Sequence, residues 1–336
     1  MTPIWKIKRE LERLKTQATA IPLAFYEPIL QRRYDPKRPE LIKYIEGVVP
    51  AKDNLVIFLI FQTNDIPHSI FNTCEHLVSS GFAPIIISNA PLSNPDRLAL
   101  TRTAHIIAER PNFGYDFGGY RDGLWLINKI GLDPQKILFL NDSIWFPANE
   151  NNSLLVDLFQ SGLDYSGVQI FDRKNRGNVL RSMIGSYCFA VNRRLLKNPE
   201  FIDFWKNYKL SSNKEITLRR GERAFSNRMM KTTQHYRGIY SLDQFNAIID
   251  RLKLDALREA LGDMIAIAPN LESRRLKLLN HKTTIHWINE AKDLLKEGAK
   301  TKNYIGSSPI LSIREMGFPM IKKNNQRLYS RARKRI

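Results

Sequence analysis

Residues 54–61 read NLVIFLIF, an unbroken apolar run dominated by β-branched and aromatic side chains. That run predicts a strand covered on both faces, and the polar Gln62, Thr63, Asn64 and Asp65 mark where it ends. The pattern recurs in APIIISNAPL, in the short apolar stretch 104–110 and in KILFLNDS. Between these runs, residues 67–80, stopped by Gly81, and residues 120–130 carry helical periodicity. Strands and helices in alternation predict an α/β fold, a Rossmann-type and mostly parallel sheet flanked by helices. Ligands of such sheets bind beyond the carboxyl ends of the strands, so QTND, SNAP, RPNFGYD and NDS are expected to converge on one crevice.

The second half is less regular. Strands are predicted at 166–170 and 186–192, and helices at 198–208, 221–230 and 242–253, which makes the C-terminal region mainly helical. At the other end, Ile4, Ile7, Leu11, Leu14 and Ala18 recur at helical spacing with Lys6, Lys8, Arg9, Arg13 and Lys15 between them, a basic amphipathic helix. Pro22, Pro28, Pro36 and Pro39 are then expected to interrupt regular structure. The last stretch, KKNNQRLYSRARKRI, holds seven basic residues and no acid, the composition of a flexible electrostatic tail. The expected organisation is a basic helix and connector at 1–50, a sheet domain with the ligand crevice at 51–192, a mixed helical region at 193–320 and a basic tail at 321–336.

Charge narrows the picture. Lys and Arg number 52 against 33 Asp and Glu, a formal net charge of +19, which calls for anionic company such as nucleic acid, an acidic membrane surface or phosphorylated substrates. The two cysteines, Cys74 and Cys188, are far apart, and the six histidines show no ligand spacing on one helix face. A disulfide framework and a zinc site are therefore not encoded, and a reducing cytoplasm fits. The longest apolar run, 55–61, falls far below the roughly 18 residues that cross a bilayer.

Two segments concentrate polar chemistry. Residues 110–121, RPNFGYDFGGYR, place Arg110, Asn112, Gly114, Asp116 and Arg121 between a strand and a helix. Glycines there allow close backbone approach and the helix start offers free amides to an anion, while a glycine-rich turn anchored by aromatics is the structural alternative. Asn141-Asp142-Ser143 follows the strand ILFL directly, where a carboxylate suits a diphosphate-bound cation or ribose hydroxyls. Asp142 and Ser143 are equally suited to helix capping.

In combination, the NLVIFLIF strand, IISNAPL, RPNFGYDFGGYRDG, ILFLNDS and the later Gly221-Glu222-x-x-x-Ser226 resemble the rhamnan synthesis protein F family of bacterial polysaccharide glycosyltransferases, over roughly Asn54 to Asp250, and more distantly the GT-A layout. The resemblance implies transfer of a sugar, typically rhamnose, from a nucleoside diphosphate sugar such as dTDP-rhamnose to a surface polysaccharide or lipid-linked glycan, with inversion. It implies donor contacts from Thr63, Asn89, Arg110, Asn112, Gly114, Asp116, Arg121, Asn141, Asp142, Ser143, Arg220 and His281. Glu222 resembles the family's acid at the matching place and is the expected base, with Asp243 as second choice. The acidic motif of GT-A enzymes has two carboxylates where Asn141-Asp142-Ser143 has one, a poor cage for Mg2+ or Mn2+ on Asp142, so positive side chains or loop amides are an alternative for the leaving group. An enzyme of this kind is expected in the cytoplasm, peripheral on the inner face of the membrane through its basic ends. The rival from another class is a non-enzymatic binder of nucleic acid or anionic membrane, although no nucleic-acid motif occurs and no nucleic acid is expected as partner. A third keeps the fold and changes the chemistry to sugar-phosphate transfer.

Overall fold

The structure, a computed structural model, describes residues 26–175, 178–266, 268–323 and 327–334. The expected basic helix at residues 4–18 lies outside the described residues. In chain order the strands are β1 (Lys43–Glu46), β2 (Asn54–Ile60), β3 (Ala83–Ser88), β4 (Ile106–Glu109), β5 (Lys136–Asn141), β6 (Ile144–Trp145), β7 (Tyr165–Asn175), β8 (Asn178–Ile184), β9 (Cys188–Asn192), β10 (Tyr236–Tyr240) and β11 (Ile321–Lys322). Nine of them form one sheet in the order β1-β4-β3-β2-β5-β9-β7-β10, with β8 paired to β7, while β6 and β11 make a separate antiparallel ribbon. β2 runs parallel to β3 and to β5. β9 is antiparallel to both β5 and β7, so β7 and its parallel neighbour β10 point the same way as β2. This is the mostly parallel α/β sheet flanked by helices that the alternation predicts.

Sheet position follows from pattern. Along β2, Val56, Phe58 and Ile60 face one side with Leu138 and Leu140, and Leu55, Ile57 and Leu59 face the other with Ile137 and Phe139. Full burial on both faces is what an unbroken apolar strand requires. The first face is covered by His68–Ser79 and by later helices that contribute Phe245, Leu257 and Leu294. The second is covered by Tyr115–Lys129 and by the aromatic group Phe201, Trp205 and Phe225. From β2 the chain steps outward through β3 to β4, then returns to the far side of β2 as β5. The carboxyl ends of β2 and β5 therefore flank the point where strand order reverses, the place where such sheets open a ligand crevice.

Three expectations are corrected. The helix expected from Tyr120 begins at Tyr115, so most of the glycine-rich segment is helix and not loop. A Cβ on Gly119 would stand 2.2 Å from Leu59 Cδ1, so glycine lets this helix lie directly on β2. Residues 26–41 are helical despite Pro28, Pro36 and Pro39. Tertiary bonds hold them: Gln31 donates to Tyr208 O at 2.8 Å and accepts from Leu210 N at 2.9 Å, and Glu27 accepts from Ser211 Oγ and Ser212 N. Nor is the basic tail a free chain over its described part, because Ile321–Lys322 pairs with Ile144–Trp145 and the helix Arg327–Arg333 buries Tyr329 and Ala332.

Candidate active site

Register brings the ends of β2 and β5 level, with Leu59 opposite Asn141. Asp142, the next residue, donates its backbone N–H to Leu59 O at 3.0 Å. Its side chain turns back across the gap, where Oδ2 accepts from Phe61 N at 2.8 Å and from Gln62 Nε2 at 2.5 Å. The carboxylate thus bridges the two strand ends at the reversal point. Burial raises its pKa against the pull of those bonds and of Lys323. Asn141 is 5% exposed and fixes the neighbourhood: Nδ2 donates to Asp116 Oδ2 at 3.0 Å, Oδ1 accepts from Ser143 Oγ at 2.6 Å, and its backbone N–H donates to Tyr187 O at 3.1 Å.

Asp116 enters from the first turn of Tyr115–Lys129, whose start is set by Gly114 at a φ of 87°. Burial pushes its carboxyl up to about 6, helped by the negative charges of Asp142 and Glu222. Glu222 comes from the second half of the chain, in the wide π-helical turn Leu218–Arg223. Such turns are uncommon and recur at functional sites. Gly221 presses this turn onto the aromatic layer, since a Cβ there would stand 2.6 Å from Phe117 Cγ. Glu222 Oε1 accepts from Ser186 N at 3.3 Å, and burial raises its carboxyl above the ordinary glutamate range.

Three lysines face these three acids. β11 places Lys322 opposite Ile144 and hydrogen-bonds Lys323 N to Ser143 O at 2.8 Å, directly beside Asp142. Burial lowers the pKa of Lys323, opposed by Asp142, and lowers that of Lys322, joined by the positive charges of Lys302 and Lys214 and opposed by Glu222. Lys214 acts in turn on Asp116. The site is a cluster of mixed charge at the strand ends, an arrangement suited to a ligand that is itself anionic and hydroxyl-rich.

The structure brings Asp116, Asn141, Asp142 and Glu222 together, with Ser143 exposed at the rim. Thr63 and Asn112 are exposed just past the carboxyl ends of β2 and β4, and Gly114 starts the helix that carries Asp116. Other expected donor contacts are turned inward. Arg110, 4% exposed, donates to Asp122 Oδ2, Asn89 Oδ1 and Phe113 O, each at 2.6 Å, so Arg110 and Asn89 are bound to each other. Arg121 forms a two-pronged pair with Asp35 at 2.7 and 2.9 Å and donates to Trp205 O. A buried guanidinium must be paired where it lies, so these arginines brace the fold. Arg220 lines a groove with Phe204 and Tyr208, on a side of the turn other than that of Glu222. Asp243 is exposed in the first turn of Leu242–Arg251, and His281 is exposed at the end of Pro269–Asn280. Sequence reasoning missed Lys214, Ser186, Lys322 and Lys323, and it carried Gln62 only within the strand-end segment QTND. Lys322 and Lys323 stood in plain view only as part of a basic cluster.

The described residues contain no group of three His, Cys, Asp or Glu side chains set to hold a metal ion. Asp142 stands with its Oδ2 already engaged by two donors and Lys323 alongside. These residues do not fit a divalent-cation cage.

Residues 84–297, more than half of the chain, match the model of the family described as rhamnan synthesis protein F. An uncharacterized protein of Sinorhizobium fredii (strain NGR234), y4gN, is 27% identical over 348 residues, covering 98% of this chain and 86% of that protein. Among solved structures, the mannosyltransferase PcManGT of Pyrobaculum calidifontis, in complex with GDP-Man and Mn2+, is 14% identical at a TM-score of 0.31, covering 86% of this chain and 98% of that one. The glycosyltransferase GlyE of Streptococcus pneumoniae is 14% identical at a TM-score of 0.32, covering 75% and 64%.

Proposed function

We propose that this chain, which belongs to the rhamnan synthesis protein F family and is thus a glycosyltransferase, moves rhamnose from a nucleoside diphosphate donor to a glycan hydroxyl with inversion. The observation that carries the reading is the position of Asp142: a carboxylate tied across the ends of β2 and β5, with Lys323 beside it and Glu222 in the same crevice. In the proposed step the acceptor oxygen forms a bond to the anomeric carbon as the bond from that carbon to the diphosphate oxygen breaks. The bonding pair leaves with the diphosphate, and the acceptor proton passes to Glu222. Asp142 accepts hydrogen bonds from donor hydroxyls, and Gly114 and Asn112 flank the nucleotide. Lys214, Lys322 and Lys323 take the charge that develops on the leaving diphosphate, the role a divalent cation fills elsewhere.

The acceptor on this reading is a lipid-linked or surface glycan, reached by peripheral attachment to an anionic membrane. Among the described residues no helix is long and apolar enough to cross a membrane. The donor reading is tested by thermal melting with a panel of nucleoside diphosphates and their sugars. A ligand at 100 times its Kd stabilises the folded state by about 2.7 kcal/mol, so one nucleotide of the panel raises Tm in the wild type, and Asp142→Ala loses that rise while melting normally without ligand. Stabilisation by oligonucleotides at low salt alone supports the non-enzymatic rival.

A further inference from the structure

A cavity of about 590 Å³ opens where residues Gln169 to Asp172 of β7 meet the start of Leu242–Arg251 and the end of Ile285–Lys302. Because β7 and β10 point the same way as β2 and β5, it lies on the same edge of the sheet as the donor crevice. Its polar lining is Gln169, Asp172, Asp243, Asn246, Lys300 and Asn303. The volume falls within the range of sites that enclose a small ligand.

Four features mark it as a built site. Gln169 and Asn303 exchange amide bonds in both directions, Nε2 to Oδ1 at 2.8 Å and Nδ2 to Oε1 at 2.9 Å. Asn303 does so from a φ of 70°, a backbone region that costs a side-chain-bearing residue and persists where surroundings enforce it. Asn246 lines the cavity, and its Oδ1 is buried without a hydrogen-bond partner, so a turn of the amide toward the cavity would give it a ligand hydroxyl. The fourth feature is a link to the crevice. Tyr187 donates its hydroxyl to Gln169 Oε1 at 3.3 Å, its carbonyl accepts from Asn141 N, and its neighbour Ser186 donates to Glu222. Two consecutive residues, Ser186 and Tyr187, therefore join the cavity wall to the carboxylate proposed as base.

We infer that this cavity holds the acceptor, and that the acceptor unit is a neutral, hydroxyl-rich saccharide, whose attacking hydroxyl reaches Glu222 past Tyr187. The inference rests on the glycosyltransferase reading. Amides offer both donors and acceptors, and carboxylates acceptors, matched to sugar hydroxyls, and the half-buried ring of Phe171 supplies a flat face against which the carbon side of a pyranose packs. Two carboxylates, Asp172 and Asp243, against the single ammonium of Lys300 disfavour a uronic acid.

Saturation-transfer NMR on the full chain separates this inference from the reading beneath it. The probes are methyl rhamnoside and a rhamnose trisaccharide, with digalacturonate as the charged control, and dTDP and UDP for the crevice. The neutral saccharides receive saturation from the wild type, and affinity falls about tenfold in Asn246→Leu and in Asp243→Ala, the scale of one or two lost hydrogen bonds. Affinity for the nucleoside diphosphates stays within about twofold. Asp243 is exposed, so its variant stays folded even where Asn246→Leu does not. The inference is overturned if the saccharides bind both variants as they bind the wild type, if digalacturonate binds better than the neutral probes, or if a nucleoside diphosphate binds and no neutral saccharide does. Failure of every nucleoside diphosphate to bind overturns the glycosyltransferase reading itself.

Discussion

Asp116 is held in a costly state, and the cost has a measurable sign. Its carboxyl ordinarily titrates at 3.8 and in the fold is pushed up to about 6 by burial and by the charges of Asp142 and Glu222. Between those values the folded chain binds a proton that the unfolded chain does not, so stability falls as pH rises through that interval. Asp116→Asn removes the penalty. Urea unfolding at about pH 8 should show a gain of up to roughly 3 kcal/mol, two units at about 1.4 kcal/mol each, and the gain should shrink as pH is lowered toward about 4. A variant no more stable than wild type at high pH would mean that burial and the neighbouring carboxylates do not hold Asp116 above its ordinary range. Glu222 makes the complementary case. A base must be deprotonated, so turnover should fall on the acid side at a pH above the ordinary glutamate range. Glu222→Gln should lower kcat by about 10² to 10⁴ and abolish that acid limb while donor affinity survives. If kcat of Glu222→Gln stays within a few-fold of wild type and Asp116→Asn is the variant that loses turnover, the base is Asp116.

β11 has two residues and yet decides the electrostatics of the crevice. Its pairing with β6 carries Lys322 and Lys323 past the end of β5, where they stand over Asp142 and Glu222. If these lysines meet the diphosphate, Lys323→Ala and Lys322→Ala should each weaken nucleoside diphosphate binding by about tenfold, the worth of a charge-assisted hydrogen bond. Turnover in EDTA should equal turnover without it. Calorimetric titration of the variants and rates measured with chelator check both, and a chelator-sensitive rate rescued by Mn2+ would return the leaving group to a metal. The helix Tyr115–Lys129 teaches a related point about elements. Gly118 and Gly119 read locally as loop, since glycine costs about 1 kcal/mol in a helix interior. Packing reverses that preference, because a larger residue at 119 would collide with Leu59 of β2 and one at 118 with the Phe113 carbonyl.

Taken as a molecule, the chain carries +19 and distributes part of that excess to the crevice mouth. The remainder is available for an anionic surface, where each basic residue contributes on the order of 1 kcal/mol. Co-sedimentation with vesicles containing anionic lipid should therefore be strong at low salt, fall steeply with added salt, and be weak for neutral vesicles. Because β11 and Arg327–Arg333 are packed, with Arg333 4.9 Å over the Trp145 ring, deleting residues 322–336 would damage the crevice as well as the charge. Charge reversal at Lys334, exposed beyond the buried Ala332, and at neighbouring surface lysines is the cleaner change. Vesicle binding that ignores both salt and lipid charge would remove the membrane from the proposal.

The sequence by itself determined the strands β2, β3 and β5, because a strand buried on both faces must be apolar at every position, and it determined that Asp142 follows one of them directly. Alternation with helices then made the sheet parallel and placed that carboxylate at its ligand-binding edge. Edge strands such as β1, exposed along its whole length, left no such trace. Tertiary structure alone decided which charges are free. Arg110 and Arg121 looked like ligand contacts until Asp122 and Asp35 were seen to neutralise them, the latter from 86 residues away. Glu222 met Ser186, and Lys322 and Lys323 met the crevice, through packing between segments that share no local pattern. Burial writes itself into composition one residue at a time, whereas compensation of charge is a property of pairs, and the chain's order does not record which pairs will form.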